Sequence, residues 1–571
     1  MPSTKDQVLL TLRTVRHLRA RQLAWRVLYR VRPRPRARAG APPPPRPLGR
    51  WVEPIDKGVT VGDGPAFAFL GVARRYPDGV RWRDPEPEKL WLYNLHYFDY
   101  LPHVPSAAGA AVPAEALVAD WIAANPHGEG DGWEPYPTSL RIVNWIKWMV
   151  ASGHRDPTTL ASLALQVRWL ERNLEHHILA NHLFANAKAL LFAGLFFGGE
   201  EGDGWRDAGL GLVGAELREQ VLPDGGHYER SPMYHAILLE DVLDLANLGA
   251  ATGAVDAART GAWRRTAREM LRWLGAMSHP DGRIGFFNDA AFDIAPEADA
   301  LGRYAARLDA APVGAAGPPA DEGASPEDAP GRSPAAGGPV TDGALVHLAA
   351  SGYVRLAAGD ATLLVDAAPV GPDHQPGHAH ADTLSFELSR GDGRVLVNSG
   401  TSTYVQGPER QRQRSTRAHN TVEVDGADSS EVWAGFRVAR RARVHGASVE
   451  TRGEELVATA AHDGYRRLPG RVGHRRRWSL TPERLLVTDT LTGRWRTARA
   501  RFHLHPRLRA HADGRVTGPG GTLGRWEAGG GRASVEASTW HPRFGASEAN
   551  QCIVVAIERD ESTFALRFEG P

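Results

Sequence analysis

Proton-transfer chemistry needs a titratable donor and acceptor held close together, and four clusters in this chain bring such side chains near one another. The first is Asn181-His182, between Leu179 and the apolar run that opens with Leu183-Phe184. Asn181 stands where a helix N-cap belongs. His182 reads either as a reactive imidazole or as a satisfied core histidine. The second cluster runs from Asp224 to His235 and holds His227, Tyr228, Glu229 and Tyr234. Ser231-Pro232 within it is an N-cap followed by a proline at the first helical position. That puts Tyr234 in the first turn, where the helix dipole favours a phenolate and lowers the phenol pKa. A tyrosine so placed suits proton transfer; the alternative is a ring packed in an inter-helix groove.

The third cluster is His374, His378, His380 and Asp382, at the head of a predicted strand. In extended backbone His378 and His380 face the same way. The spacing suits a metal pair, or one base and one ligand. The fourth is Arg410, Arg412, Arg414 and Arg417, followed by His419-Asn420. An alternating arginine row suits a polyanionic ligand, or is a solvated edge.

Helices and strands must position these clusters. Apolar residues recur at three- and four-residue spacing over 140–150, 160–174, 183–197, 236–248 and 263–277, with Asp-Gly turns between them. Helix pairs joined by short loops suit an α/α array or toroid over residues 51–310. Residues 311–343 are rich in Ala, Gly, Pro, Asp and Glu and read as a flexible linker or insertion. From residue 344 to 571 the period changes to two. Leu384, Phe386 and Leu388 alternate with Ser385, Glu387 and Ser389 before the turn Gly391-Asp392-Gly393. The expected class is α+β multidomain, an incomplete (α/α) toroid followed by an antiparallel β-sandwich.

Composition narrows the chemistry. The chain has 571 residues, 42% hydrophobic and 23% charged, enough to bury a core. No run of about 18 apolar residues predicts a membrane span. The lone Cys552 excludes an internal disulfide framework and a CxxC metal site. No Walker loop, dinucleotide fingerprint, HExxH or nucleophile elbow is present, which disfavours nucleotide and hydride chemistry. The net charge of +2 hides an asymmetry, because residues 1–50 carry twelve Arg and one Lys against Asp6 alone. Residues 8–31 read as a basic amphipathic helix and 32–47 as a Pro/Arg-rich linker. Arginines interrupt the apolar residues too often for a secretory signal. The segment suits peripheral contact with an anionic membrane surface, or a packed helix with a solvated linker. This favours a cytoplasmic or inner-membrane-peripheral protein over a secreted one. The acidic body disfavours nucleic acid as a partner.

Taken jointly, Asn94 to Phe98, Asn181-His182, Asp224 to Tyr234, His378 to Phe386, Asn398 to Thr401 and Arg417 to Thr421 resemble, in order, the heparinase II/III-like polysaccharide lyases and related alginate lyases. The resemblance implies a toroid followed by antiparallel sheets. It also implies β-elimination from an anionic, uronate-containing polysaccharide, with no cofactor in the chemistry. Asn181 and His182 would then neutralise the carboxylate, Tyr234 would protonate the leaving oxygen, and His378 would be a base. Tyr228 is the runner-up to Tyr234. Tyr228, Arg410, Arg412, Arg414, Trp133 and Tyr97 would contact substrate. Some relatives hold a structural zinc, and the matching positions are His380, Asn398 and His419. Asn398 replaces an aspartate there and is a poor zinc ligand, with Asp382 as a substitute. Two other functions compete. One is a glycoside hydrolase, which needs a carboxylate pair such as Asp131 or Glu134 with Glu229 or Asp241. The other is a non-catalytic glycan-binding or assembly factor.

Overall fold

The computed structural model describes residues 4–32, 37, 39–57, 61–62, 65–103, 113–309, 340–341 and 344–569. The expected linker, 311–343, falls almost wholly outside them. The helical part contains α1 (Thr4–Val15), α2 (Ala20–Val31), α3 (Lys89–Tyr97), α4 (Ala114–Ala124), α5 (Pro135–Ser152) and α6 (Pro157–Glu171). It continues through α7 (Ala180–Phe196), α8 (Gly199–Gln220), α9 (Pro232–Thr252), α10 (Ala257–Ala276) and α11 (Ala298–Arg307). Each of the five apolar-periodic stretches lies on one of these helices. A small antiparallel sheet, Val61–Gly62, Ala66–Phe69 and Val72–Arg75, precedes α3 and carries no such periodicity. The single N-terminal helix expected over 8–31 is instead two helices, broken between Val15 and Ala20. No helix among the described residues is long and apolar enough to cross a membrane.

The toroid is built around α7. Apolar residues cover it on all sides, as expected for a helix wholly inside a core. Only Asn181 and His182, in its first turn, are not buried. The helix packs on α5, α8 and α9. Its contact with α8 is close because glycine permits it: a Cβ on Gly194 would lie 2.1 Å from the backbone nitrogen of Arg206. Six glycines scattered along α8 mask its periodicity in the sequence.

Every ladder between strands of the β part is antiparallel. One sheet orders Val340–Thr341, Leu345–Leu348, Tyr353–Ala358, Ala361–Asp366, Phe386–Arg390 and Gly393–Leu396. An eight-stranded sheet and a four-stranded sheet complete the sandwich. Their shared core includes Leu356, Phe386, Trp478, Val487, Phe502 and Phe564. The hairpin at Gly391-Asp392 forms as the sequence predicts. The polar face of Phe386–Arg390 does not meet solvent, however. Ser385, Glu387 and Ser389 are buried. Glu387 Oε2 lies 2.9 Å from His279 Nε2 and accepts the Phe286 N–H at 3.0 Å. The strand is buried on both faces because this sheet is the layer against which the toroid packs. Trp273, Met277 and Phe287 of the toroid share a core with Leu348, Tyr353 and Leu364 of the sheet.

Candidate active site

The site forms where three segments between regular elements meet. The loop before α9 supplies Glu229 and, across the cap, Tyr234. The loop after α10 supplies Asp289. The irregular segment between Asp366 and Phe386 supplies His378 and His380. Ser231 caps α9 as predicted, its hydroxyl oxygen accepting the Tyr234 N–H at 3.2 Å. The same hydroxyl donates to the Asp289 carbonyl at 2.6 Å, which ties the start of α9 to the Asp289 loop. Asp289 N–H donates to His378 O at 2.9 Å, and His380 N–H to Asn288 Oδ1 at 3.0 Å. Left-handed backbone at Leu179, Ala180, Arg230 and Asn288 flanks these residues on every side. Such conformations cost free energy and cluster where surrounding contacts impose them.

Tyr234 and His378 are brought face to face, with ring centroids 3.8 Å apart. The Tyr234 hydroxyl lies 3.0 Å from that of Tyr404. Burial pushes the Tyr234 phenol well above its ordinary pKa, and Tyr404 and Asp289 push it further. This reverses the downward shift expected from the helix dipole, since desolvation outweighs the partial charge of one helix end. Tyr234 is thus a neutral phenol, able to donate a proton.

His378 Nδ1 sits 3.0 Å from Asp289 Oδ2. Burial would raise the Asp289 pKa, but Arg410, His378 and His380 hold it well below the usual carboxylate range. An ionised Asp289 accepts the Nδ1 hydrogen, which leaves Nε2 as the ring nitrogen free to take a proton. Nε2 points toward Glu229, 3.8 Å from Oε2. Glu229 is buried, and neither carboxyl oxygen makes a hydrogen bond. It faces the Asn181 backbone N–H and His378 Nε2 without reaching bonding geometry with either. Burial raises its pKa, partly opposed by His378. A group whose native pKa is raised contributes stability below its unfolded pKa and loses it as pH rises through the native value. Glu229→Gln is therefore expected to gain melting temperature over the parent at about pH 8 but not at about pH 5. Equal gains at both pH values would mean that Glu229 is not held protonated.

His182 and Asn181 line the adjoining wall. His182 Nδ1 lies 2.9 Å from Glu175 Oε1, and its ring packs 4.5 Å from that of Tyr136. Burial lowers the His182 pKa, but Glu175 outweighs it and the net shift is upward. Asn181 is not the N-cap: Leu179 occupies that position, and Asn181 turns its side chain to the Tyr136 hydroxyl.

Several expected substrate contacts are used inside the fold. The arginine row lies on a short helix, α12 (Pro408–Arg414), not on an extended edge. Arg410 and Arg414 are fully buried. Arg410 clamps both Asp289 oxygens, and Arg414 donates to Ala379 O at 2.8 Å. Arg412 bonds Glu409 at 2.8 Å. Trp133 is buried among Trp121, Trp169 and His127. Tyr228 is also buried, its ring beside His227 and His374. Tyr97 is half-buried, edge-on to Tyr136. Phe436, 40% exposed, stands 6.1 Å from the His378 ring and 5.2 Å from Tyr404, a rim aromatic that no sequence pattern marks.

The zinc positions do not fit a metal ion. His380 Nδ1 faces His419 Nε2 at 3.1 Å. The Asn398 side chain is occupied by backbone, accepting Asn420 N–H at 3.0 Å and donating to Phe286 O at 2.9 Å. Asp382 accepts Asn288 N–H at 2.8 Å. Two imidazoles without a free third ligand are a poor zinc site, and no group of three His, Cys, Asp or Glu among the described residues is arranged for one. Three of the four carboxylates offered for hydrolysis are held by lysines. Glu134 and Asp131 pair with Lys89 at 2.6 and 3.4 Å, and Asp241 with Lys188 at 2.5 Å.

Comparison with known proteins agrees with this architecture. Residues 114–301 match the model of the heparinase II/III N-terminus, and residues 341–569 that of the heparinase II/III-like C-terminal region. FtsZ-localized protein C of Caulobacter vibrioides is 27% identical over 499 residues, 80% of this chain and 77% of that protein. A heparin-sulfate lyase of Pedobacter heparinus is 25% identical over 224 residues, 37% of this chain and 34% of the lyase. The crystal structure of heparinase III superposes with a TM-score of 0.65 at 16% identity, covering 87% of this chain and 80% of that one. At that identity the superposition speaks for the fold. The two family matches each hold part of the site and together span most of the chain, and the chain belongs to the heparinase II/III-like family.

Proposed function

We propose that the protein is a polysaccharide lyase that cleaves a uronate-containing glycan by β-elimination. The observation that carries this reading is the stacked pair of a neutral phenol, Tyr234, and an imidazole, His378, whose Nδ1 is held by Asp289. Elimination needs a base at C5 and an acid at the C4 oxygen on one short stretch of sugar. In this mechanism His378 Nε2 takes the C5 proton, and the electron pair moves toward the carboxylate as an enolate. The C4–O bond then breaks as the Tyr234 hydroxyl protonates the leaving oxygen. The products are a C4=C5 unsaturated uronate and a new chain end, and the tyrosinate regains its proton from solvent or the histidinium.

The C5 proton is too weakly acidic beside a free carboxylate, so its charge must be neutralised. His182, whose pKa Glu175 raises, supplies positive charge, and Asn181 supplies amide hydrogens. Glu229, whose pKa burial raises, adds a further O–H donor beside them when it carries its proton. Phe436 offers an exposed face for a sugar ring. The family and the heparin-sulfate lyase relative support an anionic polysaccharide as substrate.

The test is ultraviolet absorbance of the purified protein with heparan sulfate, heparin, alginate, hyaluronan and glucuronan. The conjugated product absorbs and a hydrolysis product does not. An absorbance rise supports the lyase. New reducing ends without absorbance would assign a hydrolase, and glycan binding with neither signal would assign a non-catalytic role.

A further inference from the structure

The exposed apolar surface of this protein is concentrated at one place. Among the described residues eleven large hydrophobic side chains are exposed, and eight of them lie on α1 and α2. On α1 they are Val8, Leu9, Leu12 and Val15, a stripe at helical spacing with Leu12 62% exposed. On α2 they are Leu23, Val27, Leu28 and Val31, with Val31 71% exposed. A concentration of this kind on a folded surface marks a contact face.

The stripe is not a core face left uncovered by chance, because both helices already have an inner face in place. The Trp433 indole donates to the Thr14 hydroxyl at 3.1 Å. Buried Gln22 donates to His374 O at 3.2 Å. Trp25 packs 4.7 Å from His176, and Tyr29 4.9 Å from His177. The outward stripes are thus a second apolar face on helices already docked.

Charge indicates what covers it. The two helices and the turn between them hold Lys5 and six arginines against Asp6 alone, and four more arginines follow from Arg32 to Arg38. Arg16, Arg26 and Arg30 make no ion pair among the described residues. Protein-binding faces are enriched in aromatic anchors, whereas both aromatics of α2 turn inward and the outer set is Leu, Val and Arg. A second copy would bring like charge against like charge. Aliphatic stripes flanked by arginine match the headgroup boundary of an anionic bilayer.

We propose that α1 and α2 dock the protein peripherally on an anionic lipid surface, with the valines and leucines at the acyl boundary and the arginines on headgroup phosphates. Gln22 of α2 bonds the carbonyl of His374, four residues before His378, and lies 3.4 Å from that of Ile178, three before Asn181. The docking element therefore sits directly behind both loops of the candidate cleft.

The experiment is flotation of the full chain with phosphatidylglycerol-containing vesicles and with neutral phosphatidylcholine vesicles, at low and high salt. Binding is expected to the anionic vesicles and to weaken with salt. Leu12→Glu/Val27→Glu is expected to lower partitioning more than tenfold with an unchanged melting temperature, since both side chains are exposed. Arg26→Gln and Arg30→Gln are each expected to cost roughly fivefold, the equivalent of ~1 kcal/mol per arginine. Failure to bind anionic vesicles would overturn the proposal. So would binding that the glutamate variant leaves unchanged, or a dimer that the same variant dissolves without lipid, which would assign the face to a second copy. The result is independent of lyase activity.

Discussion

Tyr234→Phe is expected to slow the absorbance rise at least about a hundredfold, the usual contribution of a positioned acid or base. The change removes one oxygen. The hydrogen bond it shared with Tyr404 is worth about 1 kcal/mol, so melting should shift only slightly, and the ring stacked on His378 stays in place. The loss should fall on kcat with KM little changed, because the hydroxyl acts where the C4–O bond breaks. A leaving oxygen without an acid must depart as an alkoxide, and nothing else that touches the Tyr234 hydroxyl is a strong acid. Tyr404→Phe is the companion variant. Tyr404 packs against Phe436 and Phe544 and orients the Tyr234 hydroxyl. Its loss should be milder, because the donor itself remains. If Tyr234→Phe kept full rate on a substrate that the parent eliminates, Tyr234 would not be the acid.

The local parts of this site are readable in the sequence because local rules form them. Ser231-Pro232 starts a helix, and Tyr234 then falls in its first turn whatever surrounds it. The apolar periodicity of α7 marks it as buried, and the polar pair at its start is conspicuous for that reason. What escapes a linear reading is long-range. Asp289 orients His378 and lies 89 positions from it, in a segment that no periodicity marks. Tyr404 reaches Tyr234 across 170 positions. Burial, itself a product of the whole fold, reverses the expected direction of the Tyr234 pKa and takes Arg410 and Arg414 out of reach of any ligand. The alternating arginines suggested an edge because spacing alone cannot distinguish two residues apart on a strand from a short helix turned inward. The small sheet before α3 is similarly silent, since two- and four-residue strands are too short to show a period.

Asp289→Ala should be the most destabilising single change at the site, by about 3–5 kcal/mol, the usual loss when one partner of a buried ion pair is removed. Asp289 is fully buried and meets four cationic or hydrogen-bonding partners at once: Arg410, His378, His380 and Thr401. Without it Arg410, also fully buried, keeps its charge with no carboxylate against it. Burial already opposes that charge, and Asp289 is the main group that raises the arginine's pKa above its ordinary value, with Tyr404 and Tyr234 adding less. The denaturant midpoint is the readout, with Arg410→Met as the second arm and the double variant as the third. Both singles should lose heavily. The double should recover part of the loss, because two apolar groups replace two charges and neither is left alone. Strict additivity in that cycle would mean that the clamp seen in the fold carries no coupling. Activity separates the roles further. In Asp289→Asn/Arg410→Met the neutral amide can still meet His378 Nδ1, but it no longer stabilises the imidazolium formed when Nε2 takes the C5 proton. A folded double variant that eliminates slowly would assign Asp289 to positioning and charging His378, beyond its part in holding the two halves of the molecule together.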